Sequence, residues 1–245
     1  MSSIQLRQLS FHYSDGISAL DRIDLQLESG SRTALVGPNG AGKTSLLLAV
    51  AGLIKSTGDI LINDVPMTIK RTEQLRREMS FVFQNPDEML FMPTVLEDVC
   101  FGLDTLDLDE TEAVERAHQA LSLVSLEGYD QRSSHHLSYG ERRKVCIATA
   151  MARQSAITLF DEPTRELDPF GRRTFIDLFH QMSGTLILAT HDLELVLETC
   201  DRMILLDGGQ IIQIGNSAKI LGDKDLMKAH KLEVPHSLTW HPHSH

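Results

Sequence analysis

Apolar and polar residues alternate along the first part of the chain in two stretches. The first covers residues 4–13 and the second residues 17–27, with the polar turn Ser14-Asp15-Gly16 between them. Successive side chains of a strand point to opposite faces, so strict alternation indicates strands with one buried face. The pattern predicts an antiparallel pair of strands, and the apolar residues within 58–63 predict a further strand of the same layer.

Short continuous apolar runs later in the chain predict buried strands, at residues 33–36, 79–84, 156–160 and 185–190. Apolar residues three and four positions apart predict helices at residues 95–99, 110–126, 139–153, 169–182 and 192–200. Residues 203–214 predict a final hairpin that turns at Asp207-Gly208-Gly209. Buried strands that alternate with helices are typical of an open, mostly parallel α/β sheet.

A glycine-rich loop lies between the first buried strand and an apolar helix predicted at residues 45–50. The loop has the spacing G-x-x-x-x-G-K-T and comprises Gly37, Pro38, Asn39, Gly40, Ala41, Gly42, Lys43 and Thr44, followed by Ser45. Between a strand and a helix, the N–H groups of such a loop wrap phosphates, the lysine neutralises their charge and the threonine hydroxyl ligates Mg²⁺. Glycine lets the backbone approach the phosphates closely. The loop therefore predicts a nucleotide site.

Further polar residues follow the predicted strands. Asp161 and Glu162 end one buried strand, and His191 follows the next. Parallel strands deliver such residues to the carboxyl edge of their sheet, where ligands of open α/β sheets bind. Ser138 is followed three positions later by Glu141, which is the capping-box pattern of a helix start.

Composition and charge argue against a nucleic-acid-binding, a membrane-spanning or a secreted protein. The 245 residues carry a formal net charge of −11, which gives no basic surface for nucleic acid and little attraction to anionic lipid. The longest apolar stretch, residues 45–54, is about half of a membrane span, and the first residues do not resemble a secretory leader. Three scattered cysteines give no paired framework. We expect a soluble, cytosolic protein without structural disulfides and without a nucleic-acid partner.

The order of these motifs resembles that of the ATP-binding-cassette (ABC) ATPases. The elements that carry the resemblance are Tyr13, the glycine loop, Gln84, the sequence LSYGE at 137–141, Asp161-Glu162, Leu167-Asp168 and His191. The resemblance implies a P-loop NTPase fold with a RecA-like, mostly parallel sheet core, an antiparallel β subdomain and an α-helical signature subdomain at about 85–153. It also implies an ATPase domain at 1–215 and a C-terminal extension at 216–245.

The resemblance also implies roles for the site residues, with ATP and Mg²⁺ as cofactors. ATP would be bound by Tyr13, which stacks on adenine, by residues 37–44, by Ser45 and by Gln84. Glu162 would be the general base, and His191 would contact the γ-phosphate. Mg²⁺ would be held by Thr44, Gln84 and Asp161. The signature residues Ser138, Tyr139, Gly140 and Glu141 would contact ATP bound by a second ABC subunit, identical or not, and Asp168 would belong to the D-loop.

Three positions depart from the family pattern. Tyr139 stands where the signature usually has its second glycine, Glu141 replaces a glutamine, and Arg165-Glu166 replace small residues of the D-loop. We expect Tyr139 to crowd the approach to phosphate and Arg165-Glu166 to add ion pairs across a dimer.

The residues after Gln84 narrow the resemblance. Residues 83–91 with 95–102 look like the Q-loop region of energy-coupling-factor (ECF) transporters, which import vitamins, cobalt or nickel, and residues 220–235 resemble the C-terminal extension of their ATPases. This implies integral-membrane partner subunits and a peripheral position on the cytoplasmic face of the membrane. The His-rich residues 236–245 favour the cobalt or nickel branch over a vitamin importer. A soluble ABC protein that acts on DNA or ribosomes is the more distant alternative.

Overall fold

The computed structural model describes residues 2–239, and the chain divides into two compact units. The first unit combines Met1–Thr72 with the chain from Thr185 onward, and the second is Glu73–Gly184. Three of the four tail histidines, at 241, 243 and 245, lie outside the described residues. The predicted domain boundary after residue 215 stays a prediction.

The strands are β1 (Ser2–His12), β2 (Ser18–Glu28), β3 (Arg32–Val36), β4 (Thr57–Ile62), β5 (Val65–Pro66), β6 (Met79–Val82), β7 (Ile157–Asp161), β8 (Thr185–Ala189), β9 (Arg202–Asp207) and β10 (Gln210–Asn216). The helices are α1 (Lys43–Val50), α2 (Thr72–Arg76), α3 (Val95–Phe101), α4 (Glu110–Leu123), α5 (Tyr139–Arg153), α6 (Pro169–Gln181), α7 (Leu193–Thr199), α8 (Ser217–Gly222), α9 (Lys224–Ala229) and α10 (His236–Thr239).

The first unit contains the predicted antiparallel layer, in the strand order β2-β1-β4-β5. Strand β1 pairs antiparallel with β2 and with β4, and Ile4 lies opposite both Leu27 and Ile62. All three side chains are at most 1% exposed, because alternation puts the apolar residues of each strand on one buried face. The predicted strand pair and its third strand are confirmed.

The same unit contains a mostly parallel sheet segment, in the order β10-β9-β3-β8. Strand β3 is parallel to both β8 and β9, whereas β10 returns antiparallel to β9 through the predicted turn. Residues 33–36 are all buried, as the continuous apolar run predicts for a central parallel strand. This segment places the end of β3, and with it the glycine loop, between β8 and β9.

The second unit pairs β6 with β7 in parallel and adds helices α3 to α6. Helix α5 begins and ends where the sequence predicts, with both hydrogen bonds of the capping box formed at its start. A cluster of Phe160, Phe175 and Phe179 packs α6 against β7, with ring centroids 5.5–5.7 Å apart. Helix α4 ends at Leu123, three residues before the predicted end.

Several short elements lie outside the sequence prediction, namely β5, α2, α8, α9 and α10. Each has six residues or fewer, so none carries enough turns for a periodic pattern to show. Within residues 2–239, no helix has both the length and the apolar character required to cross a bilayer.

Candidate functional site

The glycine loop connects the end of β3 to the start of α1 in the first unit. Lys43 is the first residue of α1, and its Nζ donates hydrogen bonds to the carbonyl oxygens of Gly37, at 2.7 Å, and Pro38, at 3.1 Å. The ammonium group therefore lies within the curve of the loop, with Asn39 and Gly40 exposed at the tip. Loop amides, helix N-terminus and a central cation form a phosphate-binding arrangement.

Contacts within the folded chain, apart from any phosphate, require glycine at two positions of the loop. A Cβ on Gly37 would place the carbonyl carbon of Leu206 only 3.0 Å away and the carbonyl oxygen closer still. Gly42 has φ +103° and its missing Cβ would collide with the carbonyl oxygen of Ala19. At Gly40, with φ +78°, no described atom lies within 4 Å of that position. The sequence prediction credited all the glycines to phosphate approach, whereas Gly37 and Gly42 also make room for neighbouring backbone.

Tyr13 and Ser45, both predicted to bind ATP, lie together in the first unit. The hydroxyl of Tyr13 is 2.8 Å from Oγ of Ser45, which follows the loop on α1. The tyrosine ring contacts Phe11 edge-on at 5.0 Å and remains 47% exposed. The Tyr13 side chain is therefore partly open to solvent, while its hydroxyl is held beside the start of α1.

His191 follows β8 in the first unit and is exposed. The next residue, Asp192, caps α7 by accepting a hydrogen bond from the Leu195 amide at 2.8 Å. This cap fixes where the strand ends and the helix begins, and so fixes the backbone that carries His191.

The two carboxylates at the end of β7 belong to the second unit. Asp161 is 3% exposed and Glu162 is 8% exposed. Glu162 has φ +48°, a left-handed backbone conformation that residues other than glycine rarely adopt. Such strain persists where the surrounding structure enforces it, and it concentrates at functional sites.

The predicted D-loop follows on the same segment. Asp168 caps α6, with its Oδ1 accepting the Gly171 amide hydrogen at 2.6 Å. Arg165 and Glu166 form an ion pair with each other, at 3.7 Å between Nε and Oε1, and both side chains are about half exposed. The pair occupies the solvent side of this loop, and the predicted ion pairs across a dimer stay a prediction.

The signature residues begin α5. Ser138 Oγ accepts from the Glu141 amide at 3.3 Å, while Glu141 Oε2 accepts from the Ser138 amide at 2.8 Å and from its hydroxyl at 2.7 Å. Tyr129 donates a further hydrogen bond, of 2.8 Å, to Glu141 Oε1. These hydrogen bonds lower the pKa of Glu141 below its ordinary value, and those from Ser138 contribute most. Glutamate at this position therefore serves the helix cap as an anion.

Tyr139 turns toward its own subunit's Q-loop, which we define as residues 84–88. Its hydroxyl donates to the carbonyl oxygen of Gln84 at 3.1 Å. Arg143, one turn further along α5, donates to the Phe83 carbonyl at 2.7 Å, to the Gln84 carbonyl and to the Tyr139 hydroxyl at 3.0 Å. The backbone of Gln84 is therefore held by α5.

Sequence reasoning missed Arg143 and Tyr129 as supports of the site. Arg143 is fully buried on the face of α5 that also carries Cys146 and Ile147. One signal in the sequence could have indicated this burial: Arg143 is a charged residue whose helical neighbours three and four positions further on are apolar. Tyr129 offers no comparable signal, because only the folded chain brings it to Glu141.

The donor chemistry of the predicted Mg²⁺ ligands fits the ion. Thr44 supplies an exposed hydroxyl at the start of α1, Gln84 an amide oxygen and Asp161 a carboxylate. Mg²⁺ prefers such hard oxygen ligands and usually retains waters as well. Among the described residues, no group of three or more His, Cys, Asp or Glu could hold a different resident metal.

Strand β3, the glycine loop and α1 together define a P-loop nucleotide-binding protein. The sequence pattern of the ABC transporter family matches residues 20–165. The chain is 38% identical to the energy-coupling factor transporter ATP-binding protein EcfA of Methanothermobacter thermautotrophicus, over 95% of this chain and 76% of that protein.

Solved structures agree with that family. The structure of cbiO1 from Clostridium perfringens, described as part of the ABC transporter complex cbiONQ, matches with a TM-score of 0.78 and 31% identity, covering 97% of this chain and 98% of that one. A dimeric ATP-binding cassette in a post-hydrolysis state with ADP and Pi matches with a TM-score of 0.78 and 26% identity, covering 87% and 98%. The chain belongs to the ABC transporter family of ATP-binding subunits, and it is an ATPase. The predicted ABC fold and the predicted resemblance to ECF ATPases are confirmed.

Proposed function

We propose that this ATPase is the motor of an ECF-type importer and works as a peripheral subunit on the cytoplasmic face of the membrane. The observation that carries the proposal is a pair of exposed aromatic side chains just after the Q-loop. Phe91 and Phe101 are 55% and 46% exposed and contact each other edge-on at 4.8 Å. Exposed apolar surface of this kind is typical of a protein interface. Two relatives are named as energy-coupling factor transporter ATP-binding proteins, which supports a transport role and, with it, a membrane partner.

The backbone that carries Phe91 is attached to α3. Asp98, which is 3% exposed, accepts hydrogen bonds of 2.9 Å from the amides of both Phe91 and Met92. The same carboxylate accepts the hydroxyl of Ser134. Because Asp98 lies on α3, one turn from Phe101, it fixes the Q-loop exit against the helix that carries the second aromatic ring. A partner would therefore meet a preformed surface.

The proposed hydrolysis uses the residues that the family resemblance singles out. Lys43 and the loop amides neutralise the phosphate charge, and His191 contacts the γ-phosphate. Glu162 orients a water and accepts its proton as the water oxygen bonds to the γ-phosphorus and the bond to the leaving β-phosphate oxygen breaks. Mg²⁺, held by Thr44, Gln84 and Asp161, would supply further charge neutralisation when bound.

We further propose that two ABC subunits, identical or different, assemble head to tail. Ser138 caps α5 and Gly140 lies in its first turn, where the nearest described side chain to an added Cβ is Leu167, at 3.9 Å. This end of the helix therefore leaves room for the phosphates of an ATP held by the partner subunit. The similarity to a dimeric cassette bound to ADP and Pi supports such an assembly. Each subunit would then carry two half-sites.

We propose cobalt or nickel ions as the cargo, supported by the four histidines among residues 236–245, of which the structure describes His236. The cargo is tested by ATP-dependent uptake in vesicles that contain the complete transporter. Uptake of labelled Co²⁺ or Ni²⁺ supports this branch. Uptake of a vitamin alone supports the alternative importer.

Membrane co-purification tests the transport function itself. Tagged wild-type protein should bring down an integral-membrane subunit, and Phe91→Ser should weaken that complex by about 10- to 100-fold, since burying a phenylalanine is worth about 1.5–3 kcal/mol. Ile69→Ser is the matched control, because Ile69 is 95% exposed and lies away from the Q-loop in sequence. A wild-type protein that recovers no membrane subunit would favour the soluble, non-transport ABC ATPase.

A further inference from the structure

We propose that Tyr139 is a positioning residue that ties the signature end of α5 to the Q-loop of the same subunit. The inference rests on the proposed function, in which Ser138 and Gly140 act on ATP held by the partner subunit. It deepens that function by naming the link between the membrane-facing Q-loop and the signature. It also gives Tyr139 a role other than crowding the phosphate.

The first support is the set of hydrogen bonds at the Gln84 carbonyl. That oxygen accepts from the Tyr139 hydroxyl, at 3.1 Å, and from Arg143. Arg143 also donates to the Tyr139 hydroxyl at 3.0 Å, which closes a three-membered network. Tyr139 and Arg143 are one helical turn apart, so they present both donors from one face of α5.

The second support is burial and charge. Arg143 is fully buried, and its guanidinium carbon lies 5.5 Å from the centre of the Tyr139 ring. A buried cation makes stronger hydrogen bonds to carbonyl oxygens than a neutral donor does, and a buried network holds one geometry. On the exposed side, Arg142 forms an ion pair with Asp87 of the Q-loop. Residues 83–87 are thereby attached to the first turns of α5 at several points.

The geometry makes the signature follow the Q-loop. Tyr139 stands between Ser138 and Gly140 in the chain, so a displacement of the Gln84 backbone reaches both neighbours through one side chain. A glycine at position 139 could not reach Gln84. The departure from the family pattern therefore adds a hydrogen bond to Gln84 that a glycine could not make.

The test is Tyr139→Phe, which deletes only the hydroxyl, with Tyr129→Phe as the matched control. Tyr129 also donates one hydrogen bond to the start of α5, to Glu141, but it has no bond to Gln84. In steady-state ATP hydrolysis we expect Tyr139→Phe to raise KM about fivefold with kcat unchanged. This corresponds to about 1 kcal/mol, the loss of one hydrogen bond that holds the signature in place to close on ATP. The affinity for Mg-ADP, which lacks the γ-phosphate, should stay within about twofold.

Amide hydrogen exchange gives the second readout. The Asp87, Glu88 and Met89 amides donate hydrogen bonds within the Q-loop turn. They should exchange faster in Tyr139→Phe and at the wild-type rate in Tyr129→Phe because, of the two tyrosines, only Tyr139 donates a hydrogen bond to Gln84, which precedes this turn.

Three results would overturn the inference: an unchanged KM, a fall in kcat alone, or equal effects of the two substitutions on KM and exchange. Failure of the proposed dimeric function can be distinguished from failure of the inference about Tyr139. In that case the wild-type turnover per chain would not rise with protein concentration, whatever the effect of Tyr139→Phe.

Discussion

The two roles of the loop glycines can be separated by three alanine substitutions. Gly37→Ala forces a Cβ against the Leu206 carbonyl, whose carbon would lie 3.0 Å away. Non-bonded heavy atoms pack at about 3.5–4.0 Å, so the end of β9 would have to move by roughly 1 Å. Leu206 is fully buried and pairs with Ile211 of β10, so the displacement would disturb a packed sheet.

Overpacking of this kind costs about 3 kcal/mol, which lowers the Tm of a chain of this size by about 6–12 °C. Gly40→Ala and Gly30→Ala meet no described atom within 4 Å and have nearly equal φ, +78° and +77°. Each should cost only the strain of a left-handed alanine, about 1 kcal/mol, and lower the Tm by about 2–4 °C.

The assay is thermal unfolding followed by circular dichroism without nucleotide, together with ATP binding at a temperature where all variants are folded. Gly30→Ala should bind ATP like the wild type, because it lies in the turn before β3. Gly40→Ala should bind more weakly, because its backbone lies at the tip of the loop that is proposed to hold the phosphates. If Gly37→Ala melts within about 2 °C of Gly30→Ala, the close approach of Leu206 to the loop is wrong.

Two further predictions concern carboxylates. The pKa of Glu141 is lowered by its hydrogen bonds from Ser138 and Tyr129, so its contribution to stability is complete above the ordinary glutamate pKa of 4.5 and is lost as the pH falls below it. Urea unfolding between pH 7 and pH 3 should therefore show a steeper acid loss of stability in the wild type than in Glu141→Gln, and parallel curves would contradict the assignment. Glu162→Gln should retain ATP binding while lowering ATP turnover by at least about a hundredfold, and unchanged hydrolysis would remove Glu162 as the base.

The order of elements could be read from the sequence because it rests on local patterns. The start of α5 at Ser138 was predictable because a capping box uses residues three positions apart in the chain. The strands β3, β7 and β8 were predictable because a strand covered on both faces must be apolar throughout. The family and its P-loop followed from motif order alone.

Contacts between residues that lie far apart in the chain were not predictable from the sequence. No pattern in the sequence shows that the hydroxyl of Tyr139 contacts a carbonyl 55 positions away in the chain. No pattern in the sequence shows that Gly37 must leave room for Leu206, or that Arg143 is buried against the Q-loop.

The sequence by itself determined the family, the order of strands and helices and the candidate site residues, because motifs and periodicity are properties of short stretches of the chain. The tertiary structure decided what holds those residues in place. Hydrogen bonds and steric contacts act between atoms a few ångströms apart, and only folding brings Gln84 to Tyr139 or Leu206 to the glycine loop.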